Sequence, residues 1–163
     1  MRFVDPNVSS TIDKLHEAKY FLDRMKEHQT DGVVFRYNLS AFVSAARSIT
    51  LLMKKEFQAR AGFTQWYEPK CEDMKADPMM KDLNNRRRTA IHIKTIAFGP
   101  RVHLDVRMVP VGSTEHGEAL VKYYFDNLPY PHEDVFSMCQ YQIDYLERLV
   151  RECVSLFGQQ TNT

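Results

Sequence analysis

Apolar residues recur every three or four positions along most of this chain, and after His92 the period drops to two. A period near 3.6 gathers the apolar side chains of a segment on one helix face, whereas a period of two gathers them on one face of a strand. The pattern predicts a mainly α fold with a small β element late in the chain.

The last helix is the most clearly written. Val135, Cys139, Ile143, Leu146, Val150, Cys153 and Phe157 form one stripe, opened by Glu133 and Asp134 and closed by Gly158. Carboxylates in a first turn are favoured by the helix dipole. The first helix carries Ile12, Leu15, Ala18, Leu22 and Met25, with Phe21 widening the stripe. Ser10 and Asp13 resemble a capping box, and Asp31-Gly32 is a stop signal. A longer helix is expected over about Asn38 to Arg60, with Leu39, Phe42, Val43, Ala46, Ile49, Leu52, Met53 and Phe57 on its apolar face. Ala41, Ser44, Ala45 and Ser48 are small and allow a neighbouring helix to approach closely. Arg47 lies among them and, if buried, calls for a carboxylate. The aromatic segment Phe63, Trp66, Tyr67 is interrupted by Pro69, and a short helical stretch is expected at about 70–75. Asp77-Pro78 then restarts a helix, with Asp as cap and Pro at the first helical position. That helix carries Met79, Met80, Leu83, Ala90 and Ile91 on one side.

Arg101 to Met108 alternates polar and apolar residues, and Ala119 to Phe125 is a second strand, so the two predict a hairpin. Residues 91–98 fit either a third strand or a helix end. The expected architecture is a bundle of four to five helices with a small antiparallel β-hairpin before the last helix. It forms one domain over 1–163, with the hairpin inserted at about 101–125 and a disordered tail at about 159–163.

Composition removes several classes of function. Lys and Arg total 22 and Asp and Glu 21, a net charge of +1, which argues against a polybasic coating protein and an acidic tail protein. No window approaches about 18 apolar residues and no basic, apolar leader opens the chain, so a cytoplasmic protein without a membrane anchor is expected. The three cysteines form no CxxC pair and no two histidines have metal-ligand spacing, so neither a metal nor a cofactor is expected. Phosphate-loop, dinucleotide-binding and nucleophile-elbow motifs are missing from the sequence.

The balanced charge is unevenly placed. From Lys81 to Arg107 there are seven cations against two anions, a net of +5 that leaves −4 for the rest of the chain. At its centre is Asn84-Asn85-Arg86-Arg87-Arg88-Thr89-Ala90-Ile91-His92. Arg87 falls on the apolar stripe that runs through Met80 and Leu83, where a guanidinium needs a carboxylate or an anionic ligand. A histidine can move a proton near neutral pH while an arginine holds a phosphate, which together suffice for RNA transesterification without metal. On a regular helix Arg88 and His92 are neighbours, and Arg87 and His92 lie about 140° apart. His103 alternates with Arg101, Asp105 and Arg107 on the polar face of the first strand and could extend such a surface.

The Arg87-(four residues)-His92 spacing, or Arg86-(five)-His92, late in a helix of a small bundle, resembles the signature of the HEPN superfamily. The segments Ala41 to Ile49 and Phe63 to Tyr67 also look like a HEPN-like group of bacterial proteins. The resemblance implies a homodimer that joins two such motifs, acting as a metal-independent endoribonuclease or RNA-binding protein, often within toxin–antitoxin systems. It implies catalytic roles for Arg87 and His92 and substrate binding by Arg86 and Arg88. An antitoxin or a nucleotidyltransferase is the implied partner. The alternative is a non-catalytic helical module that dimerises or binds a partner, with Arg87 paired to Asp82 or Glu72.

Overall fold

The helical hairpin of α1 (Ser10–Glu27) and α2 (Gly32–Phe57) is the base on which the other elements pack. The computed structural model describes residues 9–92, 98–104, 119–125 and 133–158, without the side chains of residues 86–92, 98–99, 101–104 and 119–120. The apolar stripe of α1 is buried at Leu15, Ala18, Leu22 and Met25, as its spacing requires. The expected capping box does not form. Ser9 is the N-cap and makes no capping bond of its own. Instead Glu56, at the end of α2, accepts from the Thr11 backbone N–H at 3.1 Å, the Thr11 hydroxyl and the Ser9 hydroxyl. A carboxylate at a helix N-terminus is favoured by the dipole and satisfies an orphan donor. The bond also fixes α1 and α2 as antiparallel.

α2 starts six residues before the sequence suggests. Asp31 is not a stop but an N-cap: its side chain accepts from Val33 N and Val34 N, both at 3.0 Å, and Gly32 is the first helical residue. Among the described glycines the left-handed conformation belongs to Gly62, at φ 81°, just before α3 (Phe63–Ala76). Gly62 turns the chain where a side chain would be strained.

α3 also corrects its expectation, because it is one continuous helix with Pro69 inside it. Proline removes one backbone hydrogen bond, to the carbonyl four residues earlier. The turns before it are held by packing: Phe63 stacks on Phe57 and Tyr67 and meets Phe157 edge-on, with centroids 5.1–6.3 Å apart. Burying a phenylalanine contributes about 1.5–3 kcal/mol, comparable with the cost of an interior proline. Asp77 joins α3 to α4 (Pro78–His92) as expected, its Oδ1 accepting from Met79 N and Met80 N.

Strand β1 (Phe98–Leu104) pairs antiparallel with β2 (Ala119–Phe125), with Val102 opposite Val121. β1 begins three residues earlier than expected and includes Gly99-Pro100, as an edge strand can. The rest of the alternating segment, residues 105–108, lies outside the described residues, as do the turn at 112–117 and the tail at 159–163. β2 rests on α5 (Val135–Phe157) and on the start of α2, where the Tyr123 and Phe35 rings lie 4.3 Å apart. All seven apolar positions expected on α5 are buried. α5 packs against both α1 and α2, and Asp134 caps it by accepting from Ser137 N. Among the described residues the result is five helices with a two-stranded antiparallel sheet before the last.

Candidate functional site

Four places on this framework carry chemistry worth weighing. The first is the basic end of α4. The helix runs through His92 without a break, so on its backbone Arg88 and His92 are one turn apart, while Arg87 and His92 differ by about 140°. The side chains of Arg86, Arg87, Arg88 and His92 lie outside the described residues, and so does that of His103 on β1. Glu72, one expected partner of Arg87, pairs with Lys75 at 2.7 Å. Upstream on α4, the Asn84 side-chain carbonyl is buried without a hydrogen-bond donor.

The second is a polar cluster between α2 and α3. Arg47 is half-buried, but its partner is a hydroxyl rather than the expected carboxylate: Nη1 donates to Thr50 Oγ1 at 3.0 Å. Thr50 in turn donates to the Arg47 carbonyl, and the Tyr67 hydroxyl donates to the Thr50 carbonyl at 3.2 Å. Burial raises the Tyr67 phenol above its ordinary value, reinforced by the neighbouring Cys71. A phenol held protonated is a hydrogen-bond donor, so this group ties α3 to α2.

The third is a cavity of about 110 Å³ between the α1–α2 turn, β2 and the start of α5. Gln29, Phe35, Lys122, Tyr123, Asp134 and Ser137 contribute to its wall. Lys122 Nζ lies 3.5 Å from Asp134 Oδ2, which also accepts from the Ser137 hydroxyl at 2.8 Å. Ligand pockets generally hold about 300–1,000 Å³, so this space fits a few waters and no nucleotide. Its charged groups already satisfy one another.

The fourth is the outer face of α2. Val33, Tyr37 and Leu51 are 52%, 64% and 51% exposed, and Ser40, Ser44 and Ser48 lie between them on the same side of the helix. Along this line from Val33 to Leu51 no residue is charged; Arg36, over the Tyr37 ring, and Arg47, turned to Thr50, stand at its edge. The Ser48 hydroxyl donates to the Ser44 carbonyl of its own helix at 2.9 Å, which reduces its demand for water. The sequence shows these small residues, but which side of α2 faces outward depends on how α1, α4 and α5 cover the rest. The missed signal was the uncharged line Val33, Tyr37, Ser40, Ser44, Ser48 and Leu51, spaced three or four apart.

Among the described residues no group of three or more histidines, cysteines or carboxylates is placed to hold a metal. The described cysteines, Cys71, Cys139 and Cys153, are free thiols. Burial pushes Cys153 up to about 12 and raises Cys139 further, so both are inert core groups. No described helix is long and apolar enough to cross a membrane.

The family model for bacteriophage lambda protein ea47 matches residues 7–95, more than half of the chain. The chain belongs to the lambda ea47 family. The match spans α1 to α4 and ends shortly after His92. No curated protein and no solved structure matches the chain. The family assignment overturns the resemblance to HEPN proteins, and with it the metal-independent endoribonuclease, the RNA-binding protein and the toxin–antitoxin component. The physical reason is the low information in the pattern. An arginine and a histidine four to six residues apart occur on many basic helix ends, and a four- to five-helix order is common to unrelated bundles.

Proposed function

We propose that this ea47-family chain works through protein–protein contact, with the outer face of α2 as its docking surface. One observation carries the reading: Val33, Tyr37 and Leu51, each more than half exposed, share one line of apolar and serine residues along most of a 26-residue helix, with Arg36 and Arg47 at its edge. Scattered exposed apolar residues are ordinary on a monomer, but an aligned set without intervening charge is what interface centres look like. Tyr37 has the makings of an anchor, since the Arg36 guanidinium lies over its ring at 5.5 Å and restrains it. The polar groups of the α2–α3 cluster and of the cavity are engaged in holding elements together. We place this contact in the cytoplasm, in keeping with the free thiols.

A photo-reactive side chain placed at Tyr37 or at Leu51 in cells expressing the full chain tests the proposal. Discrete protein adducts are expected from both positions and none from Glu72, a solvent-exposed control on α3. Failure to cross-link from either position, or the same adducts from all three, would overturn it.

A further inference from the structure

We infer that the occupant of the α2 outer face is a second copy of this chain, packed antiparallel about a two-fold axis at Ser44. This inference rests on the docking reading just given and names its partner. A two-fold interface must be self-complementary, because each residue meets its mirror position in the other copy. The outer residues of α2 have that property. Tyr37, Ser40, Ser44, Ser48 and Leu51 are spaced three, four, four and three apart, so the spacing is the same from either end. Reversed about Ser44, the large Tyr37 meets the large Leu51 and the small Ser40 meets the small Ser48. Ser44 meets itself. Val33 then falls opposite Lys55.

Size and charge both follow this symmetry. Three serines at the centre let two helix axes approach to about 8 Å, the short end of the usual range. The larger Tyr37 and Leu51 close the two ends. Each copy brings the same flanks: α1 lies along α2, bonded through Glu56, and α3 meets the end of α2, bonded through Tyr67 to Thr50. Antiparallel packing brings Lys54 and Lys55, which make no ion pair among the described residues, to the end of the other copy that bears the Asp31 cap. It also opposes the two helix dipoles.

The area decides how strong such a pair is. Val33 to Leu51 covers about 27 Å of helix, and helices about 10–12 Å across in contact over that length bury on the order of 1,000 Å² in total. That is the lower limit for a specific interface, so the pair is a weak one in reversible equilibrium with the monomer.

Sedimentation of the purified full chain over a concentration series tests this directly. A reversible monomer–dimer equilibrium is expected for the natural sequence. Ser44→Glu sets two carboxylates against each other at the axis and should weaken dimerisation at least tenfold, with helical content and melting behaviour unchanged. Register is read by oxidation in a Cys71→Ser background. Ser44→Cys should form a disulfide with itself. Tyr37→Cys mixed with Leu51→Cys should cross-link, and neither should do so alone. A monomer at every concentration overturns the self-pairing, even where the photo-adducts at Tyr37 and Leu51 go to another protein and the docking face itself survives. A dimer that ignores Ser44→Glu, or lacks these disulfides, overturns it as well.

Discussion

At the scale of single residues, the contact between Trp66 and Glu152 makes a sensitive reporter. The indole N–H donates to Glu152 Oε1 at 2.8 Å, and Lys70 Nζ lies 3.0 Å from Oε2. The Trp66 bond first, then Lys70, holds the Glu152 carboxyl below its ordinary value. A carboxylate depressed in the folded state contributes stability above its unfolded pKa and loses it as pH falls through the lowered one. Because Trp66 is the sole tryptophan, its emission isolates this event. An acid titration should show an emission change with a midpoint below the usual glutamate range, and Glu152→Gln should abolish it. A midpoint at or above the usual range would contradict the assignment. Glu147, bonded by Lys19 and also held low, fades over the same acidic window but is silent in this readout.

At the scale of elements, Asp77 is a junction for three helices. It ends α3, caps α4 through Oδ1, and accepts the Tyr141 hydroxyl of α5 at Oδ2. Asp77→Ala should cost about 1–2 kcal/mol from the lost cap together with a hydrogen bond to a charged group. Tyr141→Phe removes the second contact alone and should cost less, about 0.5–1.5 kcal/mol. Urea unfolding measures both, and equal losses would show that the cap is not the main term. This junction was legible, because Asp-Pro is a local signal and both capped amides lie within three residues. The α5 stripe was legible for the same reason. Other features were hidden by distance. Glu56 caps α1 from 45 residues away, so Ser10 and Asp13 offered a local but mistaken answer. Gly32 looked like a stop because the cap at Asp31 and the helix after it share its neighbourhood. Pro69 concealed α3 because the aromatic contacts that outweigh it come from α2 and α5.

At the scale of the whole molecule, the charge excess and the proposed contact fall on different elements of the chain. The cations gathered between Lys81 and Arg107 made α4 conspicuous in the sequence, since charge is written in composition. The α2 face was hidden, since neutrality leaves no mark until the packing of α1, α4 and α5 shows which side remains outside. The separation gives a prediction that distinguishes the two surfaces. Association through the apolar and serine line of α2 has little Coulombic attraction to screen. Raising salt from about 0.01 to about 1 M shortens the screening length from about 30 to about 3 Å, which weakens exposed charge contacts and leaves apolar ones. The dimer constant from sedimentation should therefore change less than about threefold across that range, with the Lys54 and Lys55 contacts its salt-dependent part. Sulfate should strengthen the pair, because it favours burial of apolar surface. A dimer that dissolves steeply with sodium chloride would place the contact on the basic end of α4 instead. Neutralising Arg86, Arg87 and Arg88 together would then reduce association, whereas on the α2 assignment that triple change leaves it unaltered.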